Sequence, residues 1–207
     1  MTDGSMRDSR ALSRAFYDRP ATAVARDLLG CVVETRTGDG VVGLRLVEVE
    51  AYAGESDAAS HAWRGPTPRT QVMYGPPGRS YVYLSYGMHW VLNVVCLGVG
   101  TASAVLLRAA EVVEGVELVR QRRRPGTPDL RLASGPGNLA AALGLDAAWN
   151  DLDLTSTGGE LRLRAATPVP DSDVITAPRV GISRAVDTPW RYAVADDLHV
   201  SGPRPRR

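Results

Sequence analysis

The sequence has no lysine, because all 24 of its basic residues are arginine. Without a lysine amine the chain cannot form a side-chain Schiff base, and a lysine-bearing phosphate loop of the Walker type is also excluded. Cysteine is scarce as well: Cys31 and Cys96 lie far apart in the chain. This usage predicts reduced core residues in a cytosolic protein, and not a disulfide framework or a cysteine-based metal site.

Long apolar runs are also missing from the sequence. No uncharged apolar stretch approaches the length of a membrane span, and residues 1–10 are polar and lack the apolar core of a signal peptide. We therefore expect a cytoplasmic protein without a membrane partner.

Carboxylates are absent from one long internal stretch, Ala58 to Ala110, although the net charge of the whole chain is only +1. The stretch contains four arginines and half of the aromatic residues of the chain. Arginines that alternate with aromatic rings, free of acids, suit contact with phosphates and stacking on bases. A tyrosine-rich hairpin that belongs to the core fits the same composition equally well.

Length and composition predict one domain over residues 1–207, with disordered tails at about 1–10 and 202–207. We predict helices at 20–29, 114–124 and 138–143, and a long loop at 53–78. Strands are expected at 31–35, 41–52, 81–85, 91–96, 104–109, 161–164, 180–183 and 191–194. Because the strands cluster in hairpins, these elements favour an α+β fold around a largely antiparallel sheet.

Two glutamates occupy one face of the second predicted strand. Glu48, Glu50 and Tyr52 share that face, while apolar residues occupy the other. A buried carboxylate is costly unless it is paired, hydrogen-bonded or used, so this strand is a candidate for presenting a catalytic group. The alternative is an edge strand with one solvated face.

A metal site could be built from Glu48, Glu50, Asp57 and His61. The ligand set is poor, because it has one histidine and no fixed helical spacing. We therefore expect no metal, and a hydrogen-bonding role for His61.

The predicted hairpin 81–96 places Tyr86 beside Gly87 at its tip. An aromatic ring at a hairpin tip can wedge between base pairs, although a ring that folds back onto the sheet fits as well. Asn93 and Arg108 lie on apolar strands and require partners, and Glu50 would suit Arg108.

Taken together and in order, these residues resemble one family, the alkyladenine DNA glycosylases, also called 3-methyladenine DNA glycosylases of the mammalian type. The resemblance extends from about Leu28 to Ala195 and is most specific between Glu48 and Arg108. The matching segments are 47–52, 58–61, 67–69, 77–83, 86–88, Asn93, 105–109, 134–136 and 179–181.

The resemblance implies a single α+β domain with a curved, largely antiparallel sheet, surrounding helices and a β-hairpin that protrudes into the minor groove. It implies that Glu50 is the general base, and that Arg108 and the Val180 carbonyl help to hold the attacking water. The residues that match the base pocket are Tyr52, His61, Tyr83 and Asn93. Tyr86 matches the intercalating residue, and the residues that match DNA-backbone contacts are Thr67, Arg69 and Arg79.

The implied partner is double-stranded DNA that contains damaged purines, bound by a nucleoid-associated monomer that needs no cofactor. The sequence departs from the family pattern at Asn138, where a lysine is usual, and in a shorter loop between His61 and Thr67. Three other classes stay open from the residues alone: a metal-dependent hydrolase, a non-catalytic nucleic-acid-binding module and an unrelated small-molecule enzyme.

Overall fold

The computed structural model describes residues 11–205, and within them eight strands form one sheet in which every strand pairing is antiparallel. The strands are β1 (Val32–Thr37), β2 (Gly40–Tyr52), β3 (Ser80–Ser85), β4 (His89–Val95), β5 (Ala104–Glu114), β6 (Leu161–Arg164), β7 (Val174–Ala177) and β8 (Arg191–Val194). Their order is β3-β4-β5-β2-β1-β6, and β8 pairs with both β2 and β7. The predicted α+β class and antiparallel sheet are confirmed.

Strand β2 is the centre of this sheet. Residues 43–52 of β2 pair with β5 on one side, while β1 and β8 share the other side, β1 near the start of β2 and β8 near its end. Glu48 and Glu50 are both fully buried. The hypothesis of an edge strand with a solvated face is therefore wrong, because strands cover β2 on both sides.

Helices cover the apolar face of the sheet. They are α1 (Arg14–Tyr17), α2 (Ala21–Leu28), α3 (Val116–Arg122) and α4 (Pro136–Leu143). Leu44, Leu46, Val49 and Ala51 of β2 belong to the main core, and α2 and α4 pack on this side of the sheet. Burial of such side chains contributes about 1.5–3 kcal/mol each, so this face holds the sheet while the opposite face is left for polar groups.

A glycine allows the chain to leave β2 beside the site. Gly54 has φ +57°, and a Cβ built there would lie 2.1 Å from the Ala102 carbonyl oxygen. Only glycine fits this left-handed position in contact with neighbouring backbone. The predicted loop follows, with short 3-10 turns at Gly54–Ser56 and Gln71–Tyr74.

The strand predicted at 180–183 is wrong. These residues form a loop, and β7, which pairs with β8, ends before them. The Val180 N–H donates to the Glu50 side chain instead of to a neighbouring strand, and Gly181 follows with φ +78°. A ladder cannot continue through such a pair of residues.

Both predicted tails fall at the ends of the described region. The first tail, residues 1–10, lies outside it, as do residues 206 and 207 of the second. Residues 202–205 of the second tail are described, and the Pro203 carbonyl accepts a 2.9 Å hydrogen bond from Arg191. Among residues 11–205, none of the helices has the length and apolar character needed to cross a bilayer.

Candidate active site

Strand register brings five chemically distinct residues into one row across the polar face of the sheet. Tyr81 pairs with Asn93, Asn93 with Leu106, Leu106 with Glu50, and Glu50 with Arg191. Directly paired residues point to the same side of a sheet. The pairing therefore gathers residues from β3, β4, β5, β2 and β8 at one place.

The Glu50 carboxylate is held by three groups. Oε2 accepts a 2.8 Å hydrogen bond from the Tyr52 hydroxyl, Oε1 accepts a 2.7 Å bond from the Val180 N–H, and Arg108 Nη1 lies 3.3 Å from Oε1. Burial, and then the nearby Glu50 charge, raise the pKa of the Tyr52 hydroxyl, so Tyr52 stays protonated and donates. A carboxylate offers about four lone-pair positions. These contacts leave one on Oε2 for a further hydrogen.

Arg108 reaches this face through a β-bulge. Glu48 pairs with Ala109 and Val49 with Leu107, so Arg108 is the extra residue on β5 between them. Its Nε donates a 2.8 Å hydrogen bond to Glu48, which makes Glu48 its nearer carboxylate partner and Glu50 the more distant one. The predicted pairing with Glu50 is present, but it is shared.

Glu48 is a buried hub below the site. It accepts bonds of 2.7 Å from Arg191 Nε and 2.7 Å from the Ser201 N–H, in addition to the Arg108 contact. Arg191 also donates to the carbonyl of Ser201. The segment that follows β8 therefore covers this network and excludes solvent from it.

A second buried ion pair fixes the loop that carries Val180. Arg179 donates to both Asp57 oxygens and to the Ala51 carbonyl, and its guanidinium stacks 4.7 Å from the centre of the Tyr52 ring. Burial alone would raise the pKa of Asp57, but Arg179 and backbone N–H groups lower it overall. Asp57 therefore stays charged and anchors Arg179 beside Glu50.

Three aromatic side chains form one wall of the site. The His61 ring centre lies 4.7 Å from that of Tyr83, and the Tyr81 and Tyr83 ring centres are 5.0 Å apart. His61 Nδ1 lies 3.1 Å from the Tyr81 hydroxyl, in agreement with its predicted hydrogen-bonding role. Burial, with a smaller effect of Arg69, lowers the pKa of His61, so the ring is neutral near pH 7.

These walls enclose a cavity of about 880 Å³ that Tyr52, His61, Tyr83, Asn93, Arg108 and Val180 line. Its volume falls within the usual range for small-molecule pockets, about 300–1,000 Å³. Glu50 itself has no exposed surface and lies directly behind Tyr52, Arg108 and Val180. The Asn93 amide is oriented by a 3.1 Å hydrogen bond from Nδ2 to the Tyr81 carbonyl.

The hairpin tip stands at the mouth of the cavity. Tyr86 is 83% exposed and adopts φ +50°, followed by Gly87 at φ +68°. The ring is not folded back onto the sheet, which excludes that alternative for Tyr86, although Tyr81 of the same hairpin is buried in the core. A left-handed backbone at a bulky residue costs about 1–2 kcal/mol, and strain of this kind is often retained at functional positions.

The residues predicted to contact DNA phosphates are not gathered in one place. Arg69 lines the cavity with its guanidinium 4.7 Å from the centre of the Tyr83 ring. Thr67 exchanges hydrogen bonds with Thr70, and Arg79 Nε donates a 2.8 Å bond to Asp151. The Asn138 side-chain oxygen accepts a hydrogen bond from Arg123. An arginine therefore lies beside the position at which the sequence departs from the lysine of the family pattern it resembles.

The metal hypothesis does not fit this geometry. Among residues 11–205, no three His, Cys, Asp or Glu side chains are grouped as metal ligands. The carboxylates of the hypothesis are instead held by other partners: Glu48 by two arginines, Asp57 by Arg179, and Glu50 by hydrogen-bond donors.

Comparison with known proteins agrees with this geometry. A family model described as "Methylpurine-DNA glycosylase (MPG)" matches residues 15–198. The chain belongs to the methylpurine-DNA glycosylase family. It is therefore a DNA glycosylase, a hydrolase of N-glycosyl bonds that acts on damaged DNA in alkylation repair.

Three relatives carry the name "Putative 3-methyladenine DNA glycosylase". The protein from Frankia casuarinae is 50% identical over 93% of this chain and 92% of its own length. The protein from Streptomyces avermitilis is 49% identical over 97% and 96%, and the one from Burkholderia lata is 45% identical over 95% and 93%. Identity of this kind extends over nearly the whole of each chain.

Sequence reasoning missed the supporting residues of this glycosylase site. The sequence offered Glu48 as a candidate catalytic group, a solvated residue or a metal ligand, and Asp57 only as a metal ligand. It gave Arg179 and Arg191 no role. The signal available was the presence of arginine in otherwise apolar segments, as in Pro178-Arg179-Val180 and Trp190-Arg191-Tyr192. A buried arginine requires a carboxylate partner, although sequence alone does not say which one.

Proposed function

We propose that this glycosylase rotates alkylated or deaminated purines out of duplex DNA, hydrolyses the N-glycosidic bond and leaves an abasic site. The observation that carries the proposal is the fully buried Glu50 carboxylate immediately behind a cavity with aromatic walls. A base inside a duplex cannot reach such a cavity, so it must leave the stack first.

Glu50 acts as the general base in this proposal. A water between Glu50 and the flipped nucleotide attacks C1′ of the sugar as the bond from C1′ to the purine nitrogen breaks. The bonding electrons leave with the purine, and a proton of the water passes to Glu50 Oε2. The negative charge also stabilises the positive charge that develops on the sugar, and this effect is strong where solvent is excluded.

Arg108 and Val180 orient that water. The Val180 N–H is bound to Glu50, so its carbonyl is the group that would accept a hydrogen from the water. Arg108 is 5% exposed and lines the cavity while also contacting Glu50, so its guanidinium can donate to the water's oxygen.

The aromatic wall selects the base. We propose that Tyr52, His61 and Tyr83 receive the flipped purine and that Asn93 discriminates against the exocyclic amino group of guanine. Cationic purines such as 3-methyladenine and 7-methylguanine gain about 0.5–2 kcal/mol from stacking on aromatic faces. Neutral lesions, hypoxanthine and ethenoadenine, are selected by shape and by hydrogen bonds to their edges.

The hairpin holds the DNA open. We propose that Tyr86 fills the space that the flipped nucleotide leaves, while Thr67, Arg69 and Arg79 contact the DNA backbone. The protein acts as a monomer on chromosomal DNA in the cytoplasm, and light scattering on the free protein and on its DNA complex tests the monomer.

The proposal is tested with duplexes that each carry one defined lesion. Incubation followed by alkaline cleavage should cut the lesion strand at the damaged position, and omission of alkali should leave the strand intact, because the chain has no lysine for Schiff-base chemistry. A chain that binds these duplexes and releases no base would be a non-catalytic binding module. Release that stops with a chelator would support a metal-dependent hydrolase.

A further inference from the structure

Arg108 is shared unequally between two buried carboxylates. Its Nε lies 2.8 Å from Glu48, whereas its Nη1 lies 3.3 Å from Glu50. Both carboxylates are fully buried, and both side chains project from β2 to the same face. Arg108 is thus oriented chiefly by Glu48, whereas Glu50 is the glutamate that Tyr52 and Val180 bind.

A second arginine balances the charge of this pair. Arg191 donates a 2.7 Å hydrogen bond to the same Glu48 oxygen that binds Arg108. The Ser201 N–H binds the other oxygen, and Ser201 Oγ lies 3.4 Å from Arg108 Nη2. Two glutamates and two arginines therefore form a buried group without net charge, in which Glu48 and Arg108 each have two charged partners.

We propose that Glu48 is a positioning residue for Glu50. It holds Arg108 through Nε, and its negative charge neutralises most of the positive charge of Arg108. This inference rests on the proposed role of Glu50. A guanidinium paired fully with Glu50 would stabilise the ionised carboxylate so strongly that it would be a poor proton acceptor. Glu48 prevents this by competing for the same cation, and it fixes the Arg108 group that faces the cavity.

The charged and titratable groups that surround Glu50 come from five places in the fold. They are Glu48 and Tyr52 on β2, Tyr83 on β3, Arg108 on β5, Arg191 on β8 and Arg179 in the loop after β7. Loss of the Glu48 charge leaves Glu50 as the remaining carboxylate partner of Arg108, and it removes the ion-pair partner of Arg191, the residue that pairs with Glu50 across the sheet. Loss of the Arg191 charge has the opposite effect, because Glu48 then draws Arg108 more strongly.

The test is single-turnover excision of a hypoxanthine duplex as a function of pH, with the full chain and the variants Glu48→Gln and Arg191→Gln. Glu48→Gln should bind the duplex normally and lose about tenfold to a hundredfold in the plateau rate, as expected when a reacting group is misplaced slightly. The acid limb of its rate–pH profile should move to lower pH. The acid limb of Arg191→Gln should move to higher pH.

Glu34→Gln is the matched control. Glu34 is a buried glutamate on β1 that pairs with Arg36, Arg162 and Arg164, and it is not among the residues that line the cavity. It should lose thermal stability and keep both the plateau rate and the pH profile. A purely structural role for Glu48 would make Glu48→Gln behave in the same way.

The possible outcomes separate this inference from the proposed function. Opposite shifts of the two acid limbs support the inference, and normal profiles in both variants overturn it while the function stands. If Glu48→Gln does not fold, the Arg191→Gln profile decides alone. If the unchanged chain releases no base, the proposed function fails and the inference fails with it.

Discussion

The Val180 backbone N–H donates a 2.7 Å hydrogen bond to Glu50 Oε1, across 130 residues of sequence. The contact joins a loop after β7 to the central strand. The neighbouring residue, Arg179, keeps the loop in place through Asp57. The position of Val180, the proposed water ligand, is therefore set by an ion pair outside the reacting groups.

Arg179→Gln should loosen this loop. Removing one partner of a buried ion pair costs about 3–5 kcal/mol, because Asp57 is left charged without its cation. We expect a large decrease in the free energy of unfolding and, in the folded protein, slower excision with near-normal lesion binding. Denaturant unfolding and single-turnover assays measure the two effects.

Arg120→Gln is the control for Arg179→Gln. Arg120 forms ion pairs with Glu117 and Asp129 on the surface. Solvent screens such exposed pairs and they contribute little to stability, so this variant should unfold and react almost like the unchanged chain. Similar losses in both variants would contradict the anchoring role of Arg179.

Tyr86→Asn should separate DNA opening from folding. Asparagine tolerates the left-handed backbone at this position better than tyrosine does, and the Tyr86 ring has little burial to lose. The melting temperature should be equal or slightly higher, while excision from duplex DNA decreases because unstacking, a few kcal/mol, is no longer compensated. Val99→Ser, at an exposed residue between β4 and β5, should change neither quantity. A lower melting temperature with normal excision would show that Tyr86 is a core residue.

DNA binding should depend steeply on salt. Each neutralised phosphate contributes about 0.9 to the slope of log affinity against log salt, so Arg69→Gln and Arg79→Gln should each lower the slope by about one unit. Arg26→Gln, whose partner is Asp171, should leave the slope unchanged. Equal slopes in all three variants would remove Arg69 and Arg79 from the DNA backbone contacts.

Acidification should destabilise the fold through His61. Because burial lowers the pKa of His61 in the folded state, the unfolded chain binds more protons as the pH decreases below about 6.5. Stability from the neutral ring is present above that value and is lost toward the lower folded-state pKa. The melting temperature should decrease between pH 7.5 and 5.5, and less so in His61→Gln. An equal decrease in both proteins would contradict a buried neutral His61. The carboxylates with lowered pKa values, Glu34 and Asp57 among them, titrate in a more acidic range.

The local parts of this site could be predicted from the sequence. Alternation along β2 placed Glu50 and Tyr52 on one face, and a glycine after Tyr86 marked the hairpin tip. Both patterns act over two or three residues, so neighbouring positions carry the information. The shared face of Tyr81 and Tyr83 follows from the same rule and produces the observed ring contact.

The supporting ion pairs could not be predicted in this way. Arg179 meets Asp57 across 122 residues, and Arg191 meets Glu48 across 143. Strand order decides which buried arginine meets which carboxylate, and alternation along one strand carries no information about that order. The wrong prediction of a strand at 180–183 has the same origin, because the Val180 N–H donates to a side chain on β2 and not to a neighbouring strand.

Single-turnover excision of hypoxanthine by Glu50→Gln tests the central claim most directly. Glutamine keeps the size of the side chain. Its amide oxygen can still accept from the Val180 N–H and its amide nitrogen can donate to the Tyr52 hydroxyl, but it cannot take the proton of the water. Glu48→Gln is unsuitable as its control because Glu48 holds two buried arginines, so Glu34→Gln serves instead. We predict that Glu50→Gln binds the lesion duplex within a few-fold of the unchanged chain and loses a factor of about 10²–10⁴ in rate, whereas Glu34→Gln keeps its rate. Release of the base by Glu50→Gln at nearly the rate of the unchanged chain would contradict the account.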